Sequence, residues 1–195
     1  MNRNDVPALG ETTPWRGNAF SAALGRWFLG LLGWCFHGSI PDVSRAVIIV
    51  APHTSNIDFF IGVAVMFALG LRVRFLGKHT LFFWPLGPVM RWLGGIPVDR
   101  RVATGVVDQT VRLFATRDQL ILALAPEGTR KSVGRWKTGF YFVAQEAGVP
   151  IVPIAFDYRQ KRIRIGERFD LTGSLEDDLR ALERFFFGAE GRRDR

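Results

Sequence analysis

Short runs of β-branched and other apolar residues alternate along this chain with longer stretches of helical character, and that alternation restricts the possible folds most. "RAVIIVA" (45–51) is, after its arginine, an unbroken apolar run of strand length, the pattern of a strand buried on both faces. "NIDFFIGVAVMFAL" (56–69) is long enough for a helix, stops at Gly70, and is apolar nearly all round, so both its faces must be covered. "RVRFLG" (72–77) alternates as a strand does, and "KHTLFFWPLGPVMRWLGG" (78–95) is aromatic and rich in turn residues. A short strand is expected near 96–100, a helix over 103–117, and a strand running into a tight turn over "DQLILALAPEGTR" (118–130). A helix over 139–148 closed by Gly148, strands over 150–158 and 161–170, and an amphipathic helix over 174–188 complete the series. Repeats, low-complexity tracts and long linkers are missing. This order predicts an α/β fold: a single domain with a mostly parallel mixed sheet flanked by helices. In such sheets, sites form in the loops beyond the carboxyl ends of the strands.

Composition narrows the partners. The 195 residues are 48% hydrophobic, with 17 Phe and 6 Trp, enough to build a core and still present a greasy surface. The net charge is +8, and only Lys78, Lys131, Lys137 and Lys161 among the 26 basic residues are lysines. A basic, arginine-rich chain attracts anions, and the guanidinium fork suits phosphate. Signatures of RNA-binding modules are missing, so nucleic acid is not the expected partner. A single cysteine rules out an internal disulfide. The first fifteen residues are polar and carry Asp5 and Glu11, unlike a signal peptide. "NAFSAALGRWFLGLLGWCFHG" (18–38) is the one membrane candidate, but its unbroken apolar run, Trp27–Phe36, is far short of the ~20 residues of a spanning helix. A helix lying in the lipid interface fits better, with a core-packing helix as the alternative. The expected division is therefore 1–38 as an N-terminal tail and apolar interface helix, and 39–195 as the α/β domain.

Two stretches carry candidate chemistry. In "APHTSNIDFF" (51–60), His53 precedes Asp58 by five residues, between a strand and a helix. If Ser55 caps the helix, Asp58 is its third residue and completes a capping box. That explains Asp58 but not His53. A His–Asp pair explains both, because the carboxylate would orient the imidazole and leave its other nitrogen to take a proton from a hydroxyl. Cys35 has the context of a packing residue, Ser55 lacks the Gly-x-Ser-x-Gly elbow, and metal-ligand spacing is missing. Any nucleophile would therefore arrive with a substrate. In "APEGTR" (125–130), Glu127, Gly128, Thr129 and Arg130 follow a buried strand. The turn is either an ordinary strand exit with an ion pair or an anion site of backbone N–H groups and Arg130. Lys131, Arg135 and Lys137 follow with no acid among them, which favours the anion. Lys78, Arg100 and the basic stretch 159–168 carry weaker signals; the last is either a membrane-facing patch or the outer face of an edge strand.

Taken in order, "HTSNID", "GKHTLFFWPLGPVMRWLGGIPVDR", "PEGTR" and "GVPIVPIAF" resemble the four sequence blocks of the glycerolipid acyltransferases, the lysophospholipid acyltransferase superfamily typified by 1-acylglycerol-3-phosphate acyltransferase. The first is that family's His-x4-Asp block, and the four cover roughly residues 46 to 156. The resemblance implies transfer of a fatty acyl group from acyl-CoA or acyl carrier protein to the hydroxyl of a lysophospholipid, with those donors as co-substrates and neither a cofactor nor a metal. It implies His53 as general base and Asp58 as its partner. Lys78, Arg100, Glu127, Gly128, Thr129 and Arg130 would bind substrate, the arginines on phosphate. It also implies a peripheral or monotopic place at the cytoplasmic face of the membrane. Pro52 stands where many members carry Asn, and His79 where the residue is often acidic or polar. Those departures leave room for another lysolipid or an amino-acid-linked lipid as acceptor. A non-catalytic basic membrane-binding protein is the alternative of another class.

Overall fold

A computed structural model describes residues 6–98, 103–127 and 136–192. At its centre lies β2 (Arg45–Ala51), paired in parallel with β5 (Leu120–Leu124) on one side and β6 (Ile151–Asp157) on the other. The unbroken apolar run follows from that place, because a central strand of a parallel sheet meets side chains on both faces. Beyond β5 come β3 (Val73–Lys78) and β4 (Gly95–Val98), both parallel to it. Beyond β6 lie β7 (Arg162–Ile165), antiparallel to β6, and β1 (Cys35–His37), parallel to β7. Among the described residues the sheet has seven strands in the order β1-β7-β6-β2-β5-β3-β4.

Each face has its own core. Ala46 and Ile48 of β2 turn to one side, where they join Leu29 of α1 (Ala19–Leu31) and Ile61, Ala64, Val65 and Ala68 of α2 (Ile57–Leu69). Val47 and Ile49 turn to the other. There they meet Phe114 of α4 (Ala103–Ala115), Phe140, Tyr141 and Ala144 of α5 (Gly139–Ala147), and Leu182 and Phe186 of α6 (Leu175–Phe186). The alternation of strand side chains thus glues two helical layers to one sheet. α2 is apolar all round because the sheet covers one side and α1 the other. At Gly25 a β-carbon would stand 2.6 Å from the Ala68 nitrogen and 2.8 Å from the Ala64 oxygen, so only glycine admits this approach of the helices. Gly70 and Gly148 end α2 and α5 in the left-handed conformation, at φ 68° and 60°.

The predicted α/β class, the mixed sheet and most elements match the structure. Three details differ. The sheet takes its first strand, β1, from within 1–38, and Trp34 beside it is buried at 4% exposure, so the end of that segment is core rather than tail. A second difference is α3 (Leu86–Trp92) in the stretch expected to be turns. Its Pro88 falls in the first turn, where a missing N–H costs no helical hydrogen bond. The basic stretch 159–168 is not the outer face of an edge strand. β7 lies inside the sheet between β1 and β6, and arginines of the stretch are engaged: Arg159 with Glu190, Arg168 with Asp170, and Arg164 of β7 with the Phe185 carbonyl.

Candidate active site

The carboxyl ends of β6, β2, β5, β3 and β4 lie side by side on one rim, because these five strands run in the same direction. Along that rim the chain leaves β6 at Tyr158, β2 toward His53, β5 toward Glu127 and β3 at Lys78. The rim is therefore assembled from segments far apart in sequence.

His53 and Asp58 meet there. The imidazole Nδ1 stands 3.7 Å from Asp58 Oδ2, longer than a hydrogen bond but within ion-pair reach, with the His53 side chain 26% exposed and the Asp58 side chain at 0%. Two hydrogen bonds fix the carboxylate. Its Oδ2 accepts a hydrogen bond from the Ser55 backbone N–H at 2.7 Å, and its Oδ1 accepts one from the Tyr158 hydroxyl. The Ser55 bond is the reciprocal half of a capping box, so capping and pairing are not alternatives. One oxygen serves both, although the formal cap is Asn56, whose side chain caps nothing. Ser55 contributes instead through its hydroxyl, which accepts from the Ile57 N–H at 3.2 Å. The carboxylate also lies in the first turn of α2, where the helix dipole favours negative charge.

Glu127 holds the other side of the histidine. Its Oε1 and Oε2 accept from the His53 backbone N–H at 3.1 and 3.2 Å. A buried carboxylate leaving β5 thus clamps the loop leaving β2, so Glu127 positions His53 whatever else it touches. Lys78 is exposed at the end of β3, on the same rim but two strands from β2. Arg100, Gly128, Thr129 and Arg130 lie outside the described residues.

Tyr158 is the site residue that the sequence did not disclose. Burial, then its hydrogen bond to Asp58 and that group's charge, push its hydroxyl well above the usual tyrosine range. It therefore remains a protonated donor at any physiological pH. The Trp34 ring packs edge-on against it with centroids 4.9 Å apart, and Lys161 Nζ lies 5.4 Å from the Trp34 ring and 5.9 Å from the Tyr158 ring. The end of the N-terminal segment thus buttresses the residue that holds Asp58.

A half-exposed imidazole backed by a buried, fixed carboxylate can accept a proton from a group bound above the rim. Comparison with known proteins bears on the family. The family model described as Acyltransferase matches residues 35–157. The 1-acyl-sn-glycerol-3-phosphate acyltransferase of Haemophilus influenzae is 29% identical over 184 residues, covering 80% of this chain and 74% of that protein. Its counterpart in Escherichia coli is 31% identical over 126 residues, covering 60% of this chain and 49% of that protein. The human beta form is 29% identical over 141 residues, covering 68% and 49%. Several of these relatives are thus matched over only about half their length. The crystal structure of the 1-acyl-sn-glycerophosphate acyltransferase of Thermotoga maritima superposes with a TM-score of 0.59, over 85% of this chain and 76% of that one. At 16% identity that likeness speaks for the fold. The chain belongs to the acyltransferase family.

Proposed function

We propose that this protein moves a fatty acyl group from a thioester donor, acyl-CoA or acyl carrier protein, to the free hydroxyl of a lysophospholipid, with 1-acylglycerol-3-phosphate as the first candidate. The relatives' substrate supports the acceptor. The observation that carries the mechanism is the approach of His53 Nδ1 to a carboxylate pinned by Ser55 and Tyr158.

In this reading Asp58 holds the imidazole so that Nε2 faces the acceptor. As the hydroxyl oxygen attacks the thioester carbonyl, its proton passes to Nε2. The tetrahedral intermediate then collapses, the C–S bond breaks, and the leaving thiolate recovers a proton from the imidazolium. A general base of this kind contributes roughly 10²–10⁴-fold, and alignment of the two substrates adds more. No covalent enzyme intermediate is needed. Lys78, Arg100, Gly128, Thr129 and Arg130 are assigned to substrate, with the arginines on its phosphate; Glu127 acts at least through its clamp on His53.

A peripheral place on the membrane, at the cytoplasmic face, belongs to the same reading. α1 turns Phe20, Leu24, Trp27 and Leu31 outward at 76%, 51%, 62% and 68% exposure, a stripe along one helix face. Among the described residues no helix is long and apolar enough to cross a bilayer. The test is transfer from both donors to a panel of lysolipids, followed by mass spectrometry, for the wild type and His53→Ala. The reading requires acylated product from the wild type and its near-complete loss in the variant, with folding and vesicle binding retained. Turnover that survives in the variant assigns the base elsewhere. Product from a different lysolipid alone corrects the acceptor.

A further inference from the structure

Among the described residues two groups of arginines stand apart. Those of the β6–β7 region are tied to carboxylates or carbonyls. A second group meets no carboxylate among the described residues, although its Arg117 donates to the Leu113 carbonyl at 3.3 Å. Residues 14–16 run antiparallel to 70–72, with the Arg16 N–H on the Gly70 carbonyl at 2.8 Å and the Arg72 N–H on the Pro14 carbonyl at 2.9 Å. That pairing brings Arg16 beside Arg72. Arg72 and Arg74 alternate onto the same side of the chain as it enters β3. Arg117 joins them from the loop that enters the neighbouring strand β5, where Arg74 pairs with Leu122.

No carboxylate among the described residues is hydrogen-bonded or ion-paired to any of these four side chains. Each acts on another electrostatically: burial and then repulsion by Arg72 hold the Arg16 guanidinium below its usual value. Burial and then Arg72, Arg117 and Arg16 do the same to Arg74. Mutual repulsion without a counter-charge favours capture of an anion. The cluster sits at the amino end of β3, while Lys78 and the candidate active site lie at the carboxyl rim. Arg72 and Arg74 stand about 20 and 13 Å of strand from Lys78, so the cluster is not the acceptor's phosphate site.

Its neighbours indicate which anion. The Arg16 guanidinium carbon lies 5.5 Å from the Phe67 ring and 5.2 Å from the Trp92 ring. Trp92 is 64% exposed at the end of α3. Two residues after Arg16, Asn18 caps α1, and the exposed apolar stripe begins at Phe20. Cations that border an aromatic and apolar face match a membrane surface, with anionic headgroups above and acyl chains beside them. We propose that Arg16, Arg72, Arg74 and Arg117 form an anionic phospholipid headgroup site that sets how the protein sits on its membrane. This rests on the membrane reading above.

The experiment is co-sedimentation of the full chain with phosphatidylcholine vesicles and with vesicles half phosphatidylglycerol, for the wild type and for R72Q/R74Q/R117Q. Arg16 is left in place because it packs on Phe67 and Trp92. The wild type should bind the anionic vesicles more tightly. The variant should lose about 100-fold on them, since one surface arginine is worth roughly fivefold. It should bind the zwitterionic vesicles as before, and its Tm should hold or rise as repulsion is relieved. A variant that keeps the preference overturns the proposal, and so does a wild type indifferent to lipid charge. A wild type that binds neither vesicle overturns the membrane reading itself.

Discussion

Replacing Tyr158 by Phe removes one oxygen and keeps the ring that packs against Trp34. The lost oxygen is the donor to Asp58 Oδ1, and both residues are buried, at 5% and 2% exposure. Water therefore cannot easily replace the bond. A hydrogen bond to a charged group contributes roughly 1.5–3 kcal/mol, and leaving the carboxylate oxygen unsatisfied makes the upper half of that range the better guide. For a chain of 150–250 residues, each kcal/mol moves Tm by about 2–4 °C, so Tyr158→Phe should melt about 5–12 °C below wild type. Tyr158 touches no reacting atom in the proposed mechanism. It acts by positioning Asp58, so kcat should fall while KM holds. The decisive assay is a double-mutant cycle in which the same substitution is made in an Asp58→Ala background. There the hydroxyl has lost its acceptor, and the penalty should shrink by at least 1 kcal/mol, about half the single-mutant effect. Equal penalties in both backgrounds would refute the argument, because Tyr158 would then matter only as a packed ring.

Three further outcomes follow from the geometry. Because Tyr158 holds its proton more tightly when folded, its contribution to stability is complete below the ordinary tyrosine value of about 10 and is lost as pH rises above it. Urea midpoints from about pH 8 to 11 should fall more steeply for wild type than for Tyr158→Phe. Gly25→Ala puts a methyl group against backbone atoms of Ala64 and Ala68 that cannot yield locally. The overpacking cost of roughly 1–3 kcal/mol should exceed the ~1 kcal/mol helix gain, and a Tm at or above wild type would show that α1 shifts freely on α2. Glu127→Ala frees the His53 loop, so kcat should drop well beyond any change in the urea midpoint; unchanged kcat would deny the clamp a function.

Local patterns in the sequence carried what local physics controls. The run 45–51 is a strand because each of its side chains meets a core, and the structure bounds it at the same residues. Gly70 and Gly148 end their helices because the left-handed turn suits them. Elements that depend on distant partners were not legible. β1 has three residues, too few to show a period, and exists because Cys35–His37 find Arg162–Arg164 across the chain. Tyr158 follows its strand with no local signature, and its acceptor is 100 residues away. The motif spacing placed His53 and Asp58 together, but the spacing alone could not show that Glu127 grips the main chain of His53.

The seam at Gly25 has a mechanical consequence. α2 carries Asp58 in its first turn and, farther along, meets α1 with almost no gap between the backbones. Whatever surface the outer helix settles on, the Asp58 end of its neighbour moves with it as one stiff plank about 20 Å long. The altitude of the chemistry over that surface is then a constant of the molecule, and a reactant must rise to meet it.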